Sequence, residues 1–332
     1  MVKRVVLIEG DGIGREVIPA AAEVVRATGV QVEFVSAEAG WECFQRSGTA
    51  LPVETLALVR ESDAALFGAV SSPLHRVEGY RSPIVALRRA LDLYANLRPV
   101  FSMPIPASRQ GIDLLVVREN SEGLYSGRER REGDTVIAER VISRKGSERI
   151  VRVACEQAMS RHRHLTVVHK ANVLRESDGL FREVAFEVAR SYPDLAVEEM
   201  LVDTAALRLV TEPERFDVLV TTNLFGDILS DEAAGLVGGL GLAPSANVGE
   251  KHGVFEPVHG SAPDIAGKGI ANPSAAILAA GMMLEYLGEA QAAQKVRQAV
   301  LATLRDGPRT PDLGGSAATE DVSRAVIGRM SA

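Results

Sequence analysis

At 332 residues the chain is about twice the length expected of one domain, so two domains are expected. Hydrophobic residues at 46% and charged residues at 24% exclude a disordered chain and supply a sizeable core. The net charge of −7 argues against a general polyanion-binding surface, so no nucleic-acid partner is expected.

The start, MVKRVVLIEGDGIG, has an apolar run too short for a signal peptide, and it runs straight into a turn. No apolar run anywhere approaches the ~18 residues of a membrane span. Cys43 and Cys155 form neither a disulfide framework nor a metal-type spacing. Two buried free thiols in a reducing compartment fit better, so the expected location is cytoplasmic. Of the 37 basic residues six are lysines, which leaves 31 arginines. Local arginine clusters could therefore still bind anionic small molecules, because the guanidinium fork matches a carboxylate.

In chain order, 4–8 (RVVLI) reads as a buried strand and 16–28 as a helix. Further strands are expected at 64–67, 113–117, 166–168, 197–202 and 217–220. Helices are expected at 82–93, 177–191 and 275–287. This alternation predicts an α/β protein with a largely parallel sheet. The charged stretch 125–144, centred on RERREGDT, fits either an antiparallel arm turning at Gly133-Asp134 or a solvated loop. The proline-rich run 99–106 reads as a crossing between domains.

Gly10-Asp11-Gly12-Ile13-Gly14 joins a strand to a helix but is no dinucleotide fingerprint, because Arg15 stands where the third glycine is needed. A standard Rossmann site is therefore not expected. Arg88, Arg89, Arg98 and Arg118 lie close to apolar segments and need partners. Two readings fit: salt bridges with Asp92 or Glu119, or a cluster that clamps substrate carboxylates. Lys170 follows a strand directly, where α/β sheets gather ligands. It could serve as a base or be a surface lysine. Asp227 and Asp231, four apart, share one helix face. They could bind a hard divalent cation or be acids favoured at a helix start. Residues 259–273 (HGSAPDIAGKGIANP) form a glycine-rich loop before a helix. It offers backbone donors for phosphate, Asp264 for ribose hydroxyls and Asn272 for adenine, or it is an ordinary polar loop.

Together GDGIG, LRRALDLYANLRP, RENSEGLY, HKANV, TTNLFGDILSDEAAGLVGGLGLAPS and HGSAPDIAGKGIANP resemble, in order and over essentially the whole chain, the β-decarboxylating dehydrogenases. These are the isocitrate, 3-isopropylmalate and homoisocitrate dehydrogenases. The resemblance implies an α/β fold of two domains with central sheets and a non-Rossmann cofactor site. Residues 1–98 plus 240–332 would form a discontinuous cofactor domain. Residues 99–239 would form a substrate and dimerisation domain with an arm near 125–145. The cleft would lie between the domains and be completed by a second copy of the chain, in a homodimer or tetramer. No membrane partner is implied.

The implied reaction is NAD-dependent oxidation of a 2-hydroxy-3-carboxy acid with loss of the β-carboxylate, assisted by Mg²⁺ or Mn²⁺. Lys170 would relay the hydroxyl proton and Tyr125 would protonate the enolate carbon. Asp203, Asp227 and Asp231 would ligate the metal, with Lys170 and Asp203 acting in the partner's site. Ser72, Arg81, Ser82, Arg88, Arg98, Arg118, Tyr125, Lys170 and Asn172 would contact a tricarboxylic substrate. Asn172, Glu256, His259, Gly260, Ser261, Ala262, Pro263, Asp264, Ile265 and Asn272 would contact the dinucleotide. Asp264-Ile265 replaces the Lys-Tyr of NADP-type relatives, so NAD is expected.

The segment 77–88 (VEGYRSPIVALR) resembles that of homoisocitrate dehydrogenases. It points to formation of 2-oxoadipate, in lysine biosynthesis through aminoadipate. Bacterial homoisocitrate relatives can carry arginine where Val85 stands, so Arg81, His75 or Ser72 must meet the distal carboxylate. 3-Isopropylmalate (leucine biosynthesis) and isocitrate remain alternatives. Some relatives are regulatory subunits that lose catalytic residues, but here Tyr125, Lys170, Asp203, Asp227 and Asp231 are all present.

Overall fold

A computed structural model describes residues 2–75 and 77–330. The chain begins β1 (Lys3–Gly10), α1 (Gly14–Ala27), β2 (Val32–Ser36), α2 (Trp41–Ser47), α3 (Val53–Glu61), β3 (Ala64–Ala69) and α4 (Pro83–Ala90). It continues through β4 (Ala95–Phe101), β5 (Asp113–Glu119), the hairpin β6 (Glu129–Glu132) and β7 (Thr135–Ala138), α5 (Arg144–Met159) and β8 (His164–His169). Next come α6 (Ser177–Ala189), β9 (Ala196–Leu201), α7 (Val202–Thr211), β10 (Val218–Thr221) and α8 (Asn223–Leu236). The last elements are β11 (Pro244–Val248), β12 (Gly253–Pro257), α9 (Ser274–Tyr286), α10 (Ala290–Asp306) and α11 (Thr319–Met330).

Two compact units divide the chain. The first comprises Met1–Asp92, Met103–Ser108 and Gly238–Ala332; the second comprises Leu93–Ser102 and Arg109–Val237. In the first unit β2, β1, β3 and β12 pair in parallel, and β11 closes the set antiparallel to β12. The six residues of β3 are all buried, as a strand covered on both faces should be. Helix α9 is buried nearly all round, from Ser274 to Leu284. That placement explains its apolar run, which lacks the one-sided pattern of a surface helix. In the second unit β5, β10, β8 and β9 pair in parallel, and β4 runs antiparallel to β5.

The chain passes between the units inside the expected run 99–106, at 102/103, and returns at 108/109, whereas the expected 98/99 boundary falls within a strand. Strand β4 runs in register with β5 from Ala95–Glu119 to Phe101–Asp113, with Pro99 opposite Leu115. One proline removes a single ladder donor, and the remaining pairs hold the strand. The units therefore first part at 92/93, and the last boundary lies at 237/238 rather than 239/240. The helix expected over 82–93 stops at Ala90, and Asp92 takes a left-handed φ of 49°. The charged stretch after Tyr125 contains a hairpin, with Glu129–Ala138 to Glu132–Thr135 paired and its turn at Gly133, φ 60°. Its strand residues are almost all exposed.

Cys43 and Cys155 are buried free thiols, and burial pushes the Cys155 thiol up to about 12, so it is unreactive at neutral pH. Among the described residues no helix is long and apolar enough to cross a membrane.

One carboxylate joins three segments of the second unit. Asp217, 3% exposed, accepts Arg161 Nε at 2.7 Å and the backbone N–H groups of His162 and His164 at 3.0 and 3.3 Å. Asp217→Ala strands those donors, so unfolding free energy should fall by about 3 kcal/mol in urea titration. Arg324→Ala, which removes an exposed helix pair, should change it by less than about 0.5 kcal/mol. Equal effects of the two substitutions would exclude a structural role for this network.

Candidate active site

The turn Thr222–Asn223 ends the buried strand β10 and starts α8, which places Asp227 and Asp231 one turn apart. Neighbouring strands supply the opposite charge: Arg98 on β4 and Arg118 on β5. Arg98 donates to Ser230 Oγ at 2.7 Å, Asp231 Oδ1 at 2.9 Å and Asp227 Oδ1 at 3.2 Å, while its Nε is held by Asn96 at 2.8 Å. Arg118, only 1% exposed, donates to Asp227 and, at 2.8 Å, to Asn223 Oδ1. Gly226 lets α8 rest on the Arg118 stem, because a Cβ there would meet Cγ at 2.6 Å.

Tyr125 sits in a 3₁₀ turn, Leu124–Ser126. Its hydroxyl donates to Asp227, and the Arg118 guanidinium lies 5.0 Å from its ring centre. Burial, reinforced by the Asp227 carboxylate, pushes the Tyr125 phenol above its ordinary value against the opposing pull of Arg118. The phenol therefore keeps its proton at neutral pH and is a donor. Burial first, and then Asp227, push the Asp231 carboxyl up, with Arg98 opposing.

The acids beside the arginines are thus Asp227 and Asp231 here, and Glu256 for Arg88. The candidates named from sequence, Asp92 and Glu119, are near in the chain. Glu119 turns back to its own loop, accepting from Ser121 and Glu122 backbone N–H groups at 2.7 and 3.0 Å.

Lys170 leaves the end of β8, where His169 is buried and contacts Glu199 at 3.1 Å. The Lys170 backbone N–H is held by Asp178 at 2.6 Å, and Asp178 in turn pairs with Arg140. The Lys170 ammonium pairs with Asp203 in the first turn of α7, and that contact holds the Asp203 carboxyl below its ordinary value. Asn172 and Val173 next to it are exposed. The three expected metal ligands therefore do not converge in one chain. Among the described residues no group of three His, Cys, Asp or Glu side chains is arranged to hold a metal ion. Asp227 and Asp231 nonetheless fit a hard divalent cation. Both offer oxygen, and their mutual repulsion is what such a cation would relieve. Two carboxylates are an incomplete set.

In the first unit, Arg88 on α4 is 8% exposed. It donates to Glu256 Oε1 at 3.0 Å, and Asn247 donates to the same oxygen at 2.7 Å. The Arg88 Nε is buried without a partner. Glu256, expected on the cofactor, is thus engaged as the counter-ion of Arg88. Ser82 precedes α4 as its N-cap residue, while Ser72 and Arg81 are exposed.

The loop 259–273 packs onto the first strand-to-helix turn. Ile13 N–H donates to Ser261 O at 2.9 Å, an approach open because Gly12 has no Cβ; one would lie 2.1 Å from that oxygen. Gly267 N–H donates to Glu16 at 2.7 Å, and Thr319 Oγ1 to Ala271 O at 2.7 Å. Ala262 is forced to φ 39°, and Gly260, Gly267 and Gly269 face open space. Burial holds the His259 ring below its ordinary value. Its Nδ1 is 3.0 Å from Gly260 O, and its Nε2 is a buried atom with no partner.

An unpartnered ring nitrogen, glycines facing open space and the exposed Asp264 fit a dinucleotide. The Asn272 side chain is oriented by its amide donating to Asp312 at 3.0 Å and its carbonyl accepting from Ser274 N–H at 3.0 Å.

Sequence reading missed Asn96, Asn223 and Ser230, which orient the arginines, and Asp178, which holds the Lys170 loop. Asn223 and Ser230 stand inside the TTNLFGDILSDE motif, and that was the available signal.

The family model for isocitrate/isopropylmalate dehydrogenases matches residues 4–326. The chain is 60% identical, over 98% of both chains, to the isocitrate/homoisocitrate dehydrogenase of Thermus thermophilus. It is 51% identical, again over 98% of both, to the 3-isopropylmalate/3-methylmalate dehydrogenase of Methanocaldococcus jannaschii. The crystal structure of isocitrate dehydrogenase from Methylococcus capsulatus superposes with a TM-score of 0.96 at 45% identity, covering 100% of both chains. On its motifs, its fold and these likenesses, the chain belongs to the isocitrate/isopropylmalate dehydrogenase family of decarboxylating dehydrogenases.

Proposed function

We propose that the chain oxidises homoisocitrate with NAD and decarboxylates it to 2-oxoadipate. The observation that carries this reading is the balanced Arg98–Arg118–Asp227–Asp231–Tyr125 cluster. It sets two carboxylate-binding forks beside two metal-type acids and a protonated phenol. The bound dinucleotide supplies the hydride acceptor, and a divalent cation on Asp227 and Asp231 supplies a positive charge to polarise the substrate oxygen.

The chain's own residues do the rest. Arg98 and Arg118 present guanidinium edges that exchange their aspartate partners for substrate carboxylates without leaving a buried charge unpaired. Lys170 relays the hydroxyl proton as hydride leaves C2, releasing its own ammonium proton to solvent and taking the substrate's. Loss of CO₂ then leaves an enolate carbon, to which Tyr125 gives its proton. Asp203 is engaged by Lys170 in the chain itself, so the proposed donor set and base are completed by Lys170 and Asp203 of a second copy.

The acid's side chain is assigned from 77–88. Arg81 is exposed and, among the described residues, holds no ion pair, so it is available to a distal carboxylate. Ser82 stands at the N-terminus of α4, which favours an anion. A second reading rests on Val85, one turn before Arg88, which suits the apolar branch of 3-isopropylmalate. The likeness to an isopropylmalate/methylmalate enzyme supports that reading equally.

The deciding measurement is kcat/KM for homoisocitrate, isocitrate and 3-isopropylmalate with NAD and Mg²⁺ or Mn²⁺. Homoisocitrate should lead, and a lead for 3-isopropylmalate would replace the assignment. Asp264 repels a ribose phosphate, so kcat/KM should favour NAD over NADP; the reverse order would overturn the cofactor assignment. Lys170→Met should lower oxidation by about 10²–10⁴-fold and abolish the pre-steady-state NADH burst. Tyr125→Phe should keep that burst and slow the release of 2-oxo acid. Wild-type turnover in Lys170→Met would sink the base assignment.

A further inference from the structure

One buried carboxylate in the first unit ties together segments that the proposed reaction treats separately. Asp11 is 2% exposed. Its Oδ2 accepts Trp41 N–H at 2.7 Å and Ser71 N–H at 2.9 Å, and its Oδ1 accepts Glu42 N–H at 3.0 Å. The α2 start reaches this carboxylate only because Gly40 has no side chain: at φ 127°, a Cβ would lie 2.7 Å from both oxygens.

Ser71, so anchored, faces two ways. Its hydroxyl shares a 2.7 Å hydrogen bond with the hydroxyl of Ser261, in the glycine-rich loop. Its carbonyl accepts the Tyr80 hydroxyl at 2.9 Å. Tyr80 stands in the segment 77–82 and meets Trp41 and Phe44 edge-on, with ring centres 5.2 and 5.3 Å away; Trp41 and Phe44 stack at 5.6 Å. The aromatic cluster holds the segment's body, and the Tyr80 hydroxyl is held by the Ser71 carbonyl and also meets the Ser72 side chain.

We propose that Ser71 is a positioning residue that couples seating of the dinucleotide on the 259–273 loop to the placement of 77–82, the segment that reads the substrate side chain. A ligand that shifts Ser261 shifts Ser71, and through it Tyr80. Occupancy of one site then changes affinity at the other, and the coupling is reciprocal. The proposal rests on the cofactor reading of the loop.

Trp41 is the chain's single tryptophan and touches Tyr80, so its emission reports whether the segment is seated. The test titrates NAD⁺ alone, without metal or acid, following binding by calorimetry and Trp41 emission in parallel. Wild type, Ser71→Ala, Ser71→Thr and Tyr80→Phe are compared. Tyr80→Phe removes the hydroxyl but keeps the ring packing, which guards against a folding defect in Ser71→Ala.

NAD⁺ should bind all four. The emission change should be present in wild type, restored in Ser71→Thr, and lost in Ser71→Ala and Tyr80→Phe. In turnover, KM for the acid should rise about threefold to tenfold in the latter two, the range of one neutral hydrogen bond, and by more than kcat falls. NAD⁺ binding with no emission response in wild type, or with the same response in Ser71→Ala, would overturn the coupling alone. Failure of wild type to bind NAD⁺ would overturn the cofactor reading and the coupling with it.

Discussion

The burial of Arg118 constrains the whole second unit. A guanidinium removed from water must meet anions or acceptors on nearly all its donors. The chain meets that demand with Asp227 and Asn223 from a helix more than a hundred residues away. The close seating of α8 on β5, the glycine at 226 and the turn that starts α8 all follow from it. Asp227 is shared among Arg98, Arg118 and the Tyr125 phenol, and burial, reinforced by that carboxylate, holds the phenol above its ordinary value. A stable arrangement of exchangeable ion pairs is suited to an anionic acid, because each arginine can change partners without losing its counter-charge.

A second economy appears at Lys170. Its backbone is fixed by the buried Asp178, which also carries Arg140 near the base of the exposed hairpin. Its ammonium is fixed by Asp203. Base and acid are therefore oriented as a pair, apart from the Asp227–Asp231 pair.

In the first unit the organising group is Asp11, inside the GDGIG turn. The turn lacks the third glycine of a dinucleotide fingerprint, yet it is far from a passive connection. Its glycines permit close backbone approach to Ala69 and Ser261, and its aspartate gathers the starts of two neighbouring segments. The loop 259–273 is clamped against α1 and α11 by Glu16 and Thr319.

Much was legible in the sequence. Strand–helix alternation was visible from β-branched runs such as 4–8 and 217–220, because strands covered on both faces must be apolar throughout. Tyr125, Lys170, Asp227 and Asp231 stood out as candidates because they lie in ordered motifs; Asp203 lies outside them and was a candidate only through the resemblance. The sequence could not say which acid meets which arginine: Glu256, Asp227 and Asp231 are distant in the chain, and the nearer Glu119 was the natural but mistaken partner. Nor could it tell that Pro99 sits within a strand, which only the ladder with β5 decides. The side chain of Asn272 turns inward to Asp312, and Ser71 gains meaning only from Ser261 and Tyr80 on either side. Residue type and local period thus determined the fold class and the chemical inventory. Pairing between segments far apart in the chain was decided by tertiary structure, because buried charges and hydrogen bonds take the partner that packing brings within reach.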